Sequence, residues 1–143
     1  MESRDERIAA ALAHALVAAN WMGMVAAAVM WLTERERSPE VGFQALQALI
    51  FQLLGLILSL ASLGLYVVAV AVAALIGFAS GDQEGTLVGM VAILGIPGMM
   101  LIPLLFLAYG LLAARACLRG RPFEYLLLGP VLRRRLAGKE AVR

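Results

Sequence analysis

Charge is what this sequence lacks where a soluble fold would need it. Only 15% of its 143 residues are Asp, Glu, Lys or Arg, while 62% are hydrophobic. Soluble domains run nearer to about 25% and roughly 45–50%. No charged residue falls between Ile8 and Thr33, between Val41 and Gly81, or between Gly85 and Ala114. Uncharged apolar stretches of about 18 residues or more mark helices that cross a membrane. A soluble core would interrupt them with polar faces every turn or two.

Other scarcities narrow the function. The single cysteine, Cys117, excludes an internal disulfide and a cysteine metal site; near the cytoplasmic interface it reads as an inert thiol rather than a palmitoylation site. No Asp, Glu, Lys or Arg lies within the apolar stretches, which argues against a proton relay or an ion-coupled transporter. The sequence has no nucleophile set beside a base, no paired carboxylates and no phosphate-binding loop, so it does not read as an enzyme. No folded basic domain presents a surface to nucleic acid.

The charge that is present is unevenly placed. Eight of the twelve Lys and Arg residues follow Ala114: Arg115, Arg119, Arg121, Arg133, Arg134, Arg135, Lys139 and Arg143. Positive charge flanking membrane helices stays on the cytoplasmic side, so the C-terminus is expected there. Residues Met1 to Arg7 are mostly acidic and lead into a long Ala-rich stretch. A signal peptide would start basic and have a shorter apolar region, so the first span is expected to be retained.

The expected fold is all-α: one domain over residues 1–143, an integral membrane bundle of four transmembrane helices. The spans are placed at about 8–32, 39–61, 65–80 and 86–114, with a basic cytoplasmic tail over 115–143. The run from Pro39 to Ser80 would be about 60 Å long as one helix, twice the bilayer core, so a break is expected at Ser62-Leu63-Gly64. The alternative is three spans plus an interfacial helix from Pro39 to about Leu53, with Gln44, Gln47 and Gln52 turned to the headgroups. Ser38-Pro39-Glu40 reads as a helix start, with Ser as N-cap. Gly81 to Gly85 reads as an external turn, and kinks are expected near Pro97 and Pro103. In the first span, Ala11, Ala15, Ala19, Gly23 and Ala27 recur every fourth position, a ladder that would let another helix approach closely.

Two stretches carry a family resemblance. Ser38-Pro39 followed by Phe43 to Gln52 (Phe-Gln-Ala-Leu-Gln-Ala-Leu-Ile-Phe-Gln), and Ala113 to Ala116 continuing to Gly120-Arg121-Pro122-Phe123-Glu124-Tyr125, resemble the motifs of a family of small bacterial membrane proteins. That family is related to the Tic channel subunit of the chloroplast inner-envelope import machinery. With Leu12-Ala13-His14, the likeness extends over most of residues 8 to 135, although Leu126 stands where the family has proline. The resemblance implies a multi-pass helix bundle in the bacterial plasma membrane and no established chemistry.

Few side chains could carry a site. His14 is the one histidine, able in principle to ligate a haem, chlorophyll or metal; the plainer reading is a helix-to-helix hydrogen bond, for instance to a glutamine of the second span. Asn20, Gln44, Gln47 and Gln52 form a candidate polar seam or, alternatively, the lining of a polar path. The methionines of the spans read as adaptable packing rather than cuprous sites. Arg133, Arg134 and Arg135 would meet lipid headgroups or fix topology. No resident cofactor is expected. The favoured function is a non-catalytic accessory or scaffold subunit, with membrane lipids and other membrane subunits or copies of itself as partners. A Tic-like channel or translocation component and an electron-transfer subunit using His14 are the alternatives.

Overall fold

The structure is a computed structural model that describes residues 3–82, 84–126 and 128–140, with side chains as far as Arg134. Its elements are α1 (Arg4–Ala15), a 3-10 turn (Leu16–Ala19), α2 (Asn20–Glu34), α3 (Pro39–Ser80), α4 (Thr86–Leu118) and α5 (Leu128–Glu140). The described residues are all-helical in their regular structure. Three helical stretches, Arg4–Glu34, Pro39–Ser80 and Thr86–Leu118, are long and apolar enough to cross a membrane. The remaining helix, α5, has 13 residues.

Four transmembrane helices are therefore not what forms. The expected break at Ser62-Leu63-Gly64 is absent, and α3 runs unbroken for 42 residues. A lone glycine inside a helix costs only about 1 kcal/mol, and the chain has no proline in α3 after Pro39 to remove a backbone donor. Length alone had suggested the break. α4 likewise continues through Pro97 and Pro103.

The first apolar stretch departs in the opposite sense. Expected as one helix over 8–32, it is divided by the 3-10 turn and by Asn20, whose φ of 55° is the one positive value at a non-glycine residue among the described residues. Asparagine tolerates this region better than most residues. The division also shifts the phase of the Ala/Gly ladder. Ala11, Gly23 and Ala27 are buried, Ala15 is partly buried and Ala19 is exposed.

By compactness the chain has two units, residues 1–53 with 106–143, and residues 54–105. In the first, Ser3 caps α1 through a capping box with Glu6, satisfying orphan amides of the first turn. Ala10 and Ala11 of α1 meet Ala114 and Cys117 of α4. Ala13 meets Ala45 and Ala48 of α3, with Met30 and Trp31 of α2 against them. Close approach depends on glycine here. A methyl on Gly110 would lie 2.7 Å from Val17 Cγ1, and one on Gly42 2.7 Å from the Arg35 Cα. α4 ends on Gly120 at φ 75°. There the Gly120 and Arg121 amides donate to the Cys117 and Ala116 carbonyls, a Schellman closure.

The second unit is the turn between α3 and α4 with the helix on either side. Gly81 (φ 75°) ends α3 as Gly120 ends α4. Asp82 then caps α4, accepting from the Thr86 and Leu87 amides at 3.2 and 3.0 Å. Tyr66 lies against Gly95, where a methyl would come within 2.7 Å of its ring. Along these helices large apolar side chains face outward: Leu65, Leu75, Phe78, Ile93 and Leu94 are each at least 70% exposed. Water would penalise that surface heavily, whereas hydrocarbon is its natural solvent.

Candidate functional site

The first unit encloses a polar core, an unusual content for so apolar a chain. Buried polar groups are costly unless hydrogen-bonded. His14, Gln44 and Gln47 are fully buried, and Gln52 nearly so. On α3 these glutamines share the packed face with Val41, Ala45, Ala48 and Phe51, at the 3–4 residue spacing of a helix. Here the N-terminal part of α3 is enclosed. The interfacial alternative, with the glutamines turned to headgroups, does not hold.

His14, the penultimate residue of α1, is held at both ring nitrogens. Its Nε2 lies 2.9 Å from Gln44 Oε1 and its Nδ1 3.0 Å from the Tyr125 hydroxyl. The Gln44 amide nitrogen donates to Glu40 Oε1 at 3.0 Å, one helical turn earlier, so its oxygen faces the imidazole. A neutral imidazole then carries its proton on Nε2, and Tyr125 donates to Nδ1. Burial raises the Tyr125 phenol above its ordinary range, with Tyr109 and Cys117 adding to the effect, which keeps it a donor. The result is one directed chain: Tyr125 to His14 to Gln44 to Glu40. The Cys117 thiol also reaches Gln44 Oε1, at 3.9 Å.

Gln47 does a different task. Its oxygen accepts from the Tyr125 amide at 3.2 Å, and its nitrogen donates to the Phe123 carbonyl at 3.3 Å. One side-chain amide thus satisfies both backbone groups of a non-helical segment, much as a neighbouring strand would. Around it lies an aromatic cluster. Tyr125 stacks on Phe51 with centroids 4.0 Å apart, and Phe51 stacks on Phe106 at 4.5 Å. Tyr109 and Phe123 meet Tyr125 edge-on, an arrangement that suits the ring quadrupoles.

Gln52 belongs to the same α3 face but serves the helix division. Its nitrogen donates to the Ala13 carbonyl at 3.4 Å, close to the 3-10 turn. Its oxygen has no partner among the described residues. Asn20 joins none of this and is exposed at the division. Arg133 pairs with Glu124 and lies 4.9 Å over the Phe43 ring. Arg134 is exposed, and the Arg135 side chain lies outside the described residues.

Chemically, the arrangement ties α1, α3 and the segment after α4 to one another. A ligand on His14 would first have to displace Tyr125 or Gln44. Among the described residues no three His, Cys, Asp or Glu side chains gather as metal ligands would. The residues that the sequence does not single out as members of a site are Tyr125, Phe123, Phe51, Tyr109, Phe106 and Glu40. Phe51 could have been placed by its spacing, four residues from Gln47 and seven from Gln44. The aromatic segment after α4 has no periodicity to reveal it.

The family model of the magnetosome magnetite crystal formation proteins (MamF/MmsF) matches residues 5–132. That range takes in every member of the polar core. The chain belongs to this family. No curated protein and no solved structure matches it. The likeness to the Tic channel subunit is thereby corrected: the stretches that suggested it, Phe43–Gln52 and Ala113–Tyr125, fall within the magnetosome family match. Those stretches supply Gln44, Gln47, Phe51 and Tyr125, whose pattern reflects a packed polar core. Gln44 and Gln47 are both hydrogen-bonded within the protein.

Proposed function

We propose that this chain is a non-catalytic integral protein of the magnetosome membrane that acts in magnetite crystal formation. The family match over residues 5–132 carries the reading. The apolar exterior of residues 54–105 supports it, because that surface requires hydrocarbon. The polar core supports a scaffold role: its donors and acceptors are largely consumed within the protein, and they fix α1, α3 and the segment after α4 to one another. Its work then lies in holding shape within the membrane, beside other membrane proteins or copies of itself. The excess of basic residues after Ala114 supports a cytoplasmic C-terminus. An electron-transfer role for His14 has no observation in its favour, both nitrogens being engaged.

Deletion in a magnetite-forming host, followed by electron microscopy of the crystals and fractionation of the tagged chain, tests this. Expected are a changed crystal size or number and recovery with magnetosome membranes. Unchanged crystals together with a chain confined to other membranes would overturn it.

A further inference from the structure

The first apolar stretch has the length of a membrane span but not its geometry. In a straight helix, residues 6 and 38 would stand about 48 Å apart at 1.5 Å per residue. Instead the Ser38 hydroxyl donates to Glu6 Oε1 at 2.8 Å. The chain therefore leaves along α1, turns at Leu16–Asn20 and comes back along α2. Gly23 confirms the reversal, since a methyl there would collide with the Leu16 carbonyl. In a continuous helix, residues seven apart are separated by about 10 Å along the axis.

Neither arm reaches across a bilayer. α1 has 12 residues and α2 has 15, about 18 and 22 Å against a hydrocarbon core of about 30 Å. Charge follows the same geometry. Arg4, Asp5, Glu6 and Arg7 open α1, and Glu34, Arg35, Glu36 and Arg37 close α2, with none between. Folding back brings both groups to one end. The other end carries Trp21 and Met22, 64% and 61% exposed. Leu12, Val25, Val29 and Leu32 present further apolar surface along the arms. An object with a charged base, apolar flanks and an uncharged apolar tip is shaped for one leaflet. The base also borders the end of α4, where Arg7 approaches Gly120, the side to which the basic C-terminus belongs.

We propose that residues 4–34 do not cross the membrane but enter its cytoplasmic leaflet as a re-entrant helical hairpin, and that the partner this surface fits is the convex lipid monolayer of a small vesicle. This rests on the reading of the chain as a protein of a vesicle membrane with its C-terminus in the cytoplasm. A hairpin confined to one leaflet adds area to that leaflet alone, so it inserts best where the leaflet is already stretched by curvature. On a vesicle within a cell, the cytoplasmic leaflet is the convex one. Beside the hairpin, α3 and α4 make the two crossings, each longer than the hydrocarbon core at about 63 and 50 Å, and the Gly81–Gly85 turn is the part of the chain on the lumenal side.

Full-length protein with Cys117→Ala and one new cysteine, Ser3→Cys, Ser38→Cys, Glu84→Cys or Arg134→Cys, would be treated with an impermeant thiol reagent in sealed vesicles of known orientation. Positions 3, 38 and 134 should react from the cytoplasmic side and position 84 only from the other. Reaction of 3 and 38 from opposite sides means a true crossing and ends the proposal; reaction of 134 opposite to both ends the choice of leaflet. The parent protein should also partition into small sonicated vesicles over large extruded ones by about twofold or more per lipid. Equal partition would remove the curvature-selective partner. Fractionation of the tagged chain away from magnetosomes would sink the functional reading, yet leave the labelling pattern intact.

Discussion

The Tyr125 hydroxyl and His14 Nδ1, 111 residues apart in sequence, meet at 3.0 Å inside the protein. Through this bond the segment following α4 is tied to the end of α1, and through Gln44 to α3. Removing any one member strands the others. Leaving a buried donor or acceptor unpaired costs about 1–3 kcal/mol. His14→Ala, which strands both Tyr125 and Gln44, should therefore lower stability in mild detergent by about 2–4 kcal/mol. Tyr125→Phe keeps the ring stacking and should cost about 1 kcal/mol. Equal effects of the two variants on the unfolding midpoint would contradict this account.

Gln47 is expected to act on a local segment rather than on the whole protein. Gln47→Leu abolishes both bonds to the backbone of Phe123 and Tyr125. Gln47→Glu keeps an acceptor for the Tyr125 amide while losing the donor to the Phe123 carbonyl. Hydrogen exchange at the Tyr125 amide should accelerate strongly in the first variant and less in the second. Unaltered exchange in Gln47→Leu would show that the clamp does not hold.

The pair Gly95 and Tyr66 offers a test confined to residues 54–105. A methyl on Gly95 meets the Tyr66 ring at 2.7 Å, so Gly95→Ala should destabilise by about 1–3 kcal/mol, the usual cost of overpacking. Tyr66→Ala opens the space. The double variant should recover most of the added loss, which a double-mutant cycle of unfolding free energies measures directly. Strict additivity would count against the contact.

Asp82 gives the protein a dependence on acid. The Leu87 amide, and after it that of Thr86, hold this carboxyl below its usual range. A group with a lowered folded pKa adds stability above its unfolded value, and that contribution is lost as pH falls through the folded one. At neutral pH, Asp82→Ala should unfold more readily than the parent, since α4 loses its cap. The gap should close as pH drops below the carboxylate range of about 4. A gap of constant size at every pH would mean that the charge is immaterial and the loss is purely one of packing.

The burial of Cys117 predicts slow chemistry. A membrane-permeant maleimide should label the folded protein far more slowly than the protein unfolded in denaturing detergent. Comparable rates in the two states would place the thiol at the surface.

What the sequence determined by itself is the solvent. Three uncharged runs, and basic residues crowded after Ala114, fix an all-helical membrane protein, because hydrocarbon accepts no unpaired backbone groups and few charges. It also marked His14, Gln44, Gln47 and Gln52 as polar groups too costly to leave unpartnered. It could not say with whom they pair. Tyr125 reaches His14 only because α4 returns the chain beside α1, and no periodicity records a contact 111 residues distant. The sequence also misjudged where helices divide. Length favoured a break near Gly64, yet a lone glycine is cheap in a helix whose hydrogen bonds stay intact. The true division, at Leu16–Asn20, falls in an unbroken apolar run with asparagine as its single mark. Only tertiary structure decided it, because the reversal is held from outside that run. Ser38 holds Glu6, Gln52 takes the Ala13 carbonyl, and Gly110 admits Val17 at the turn.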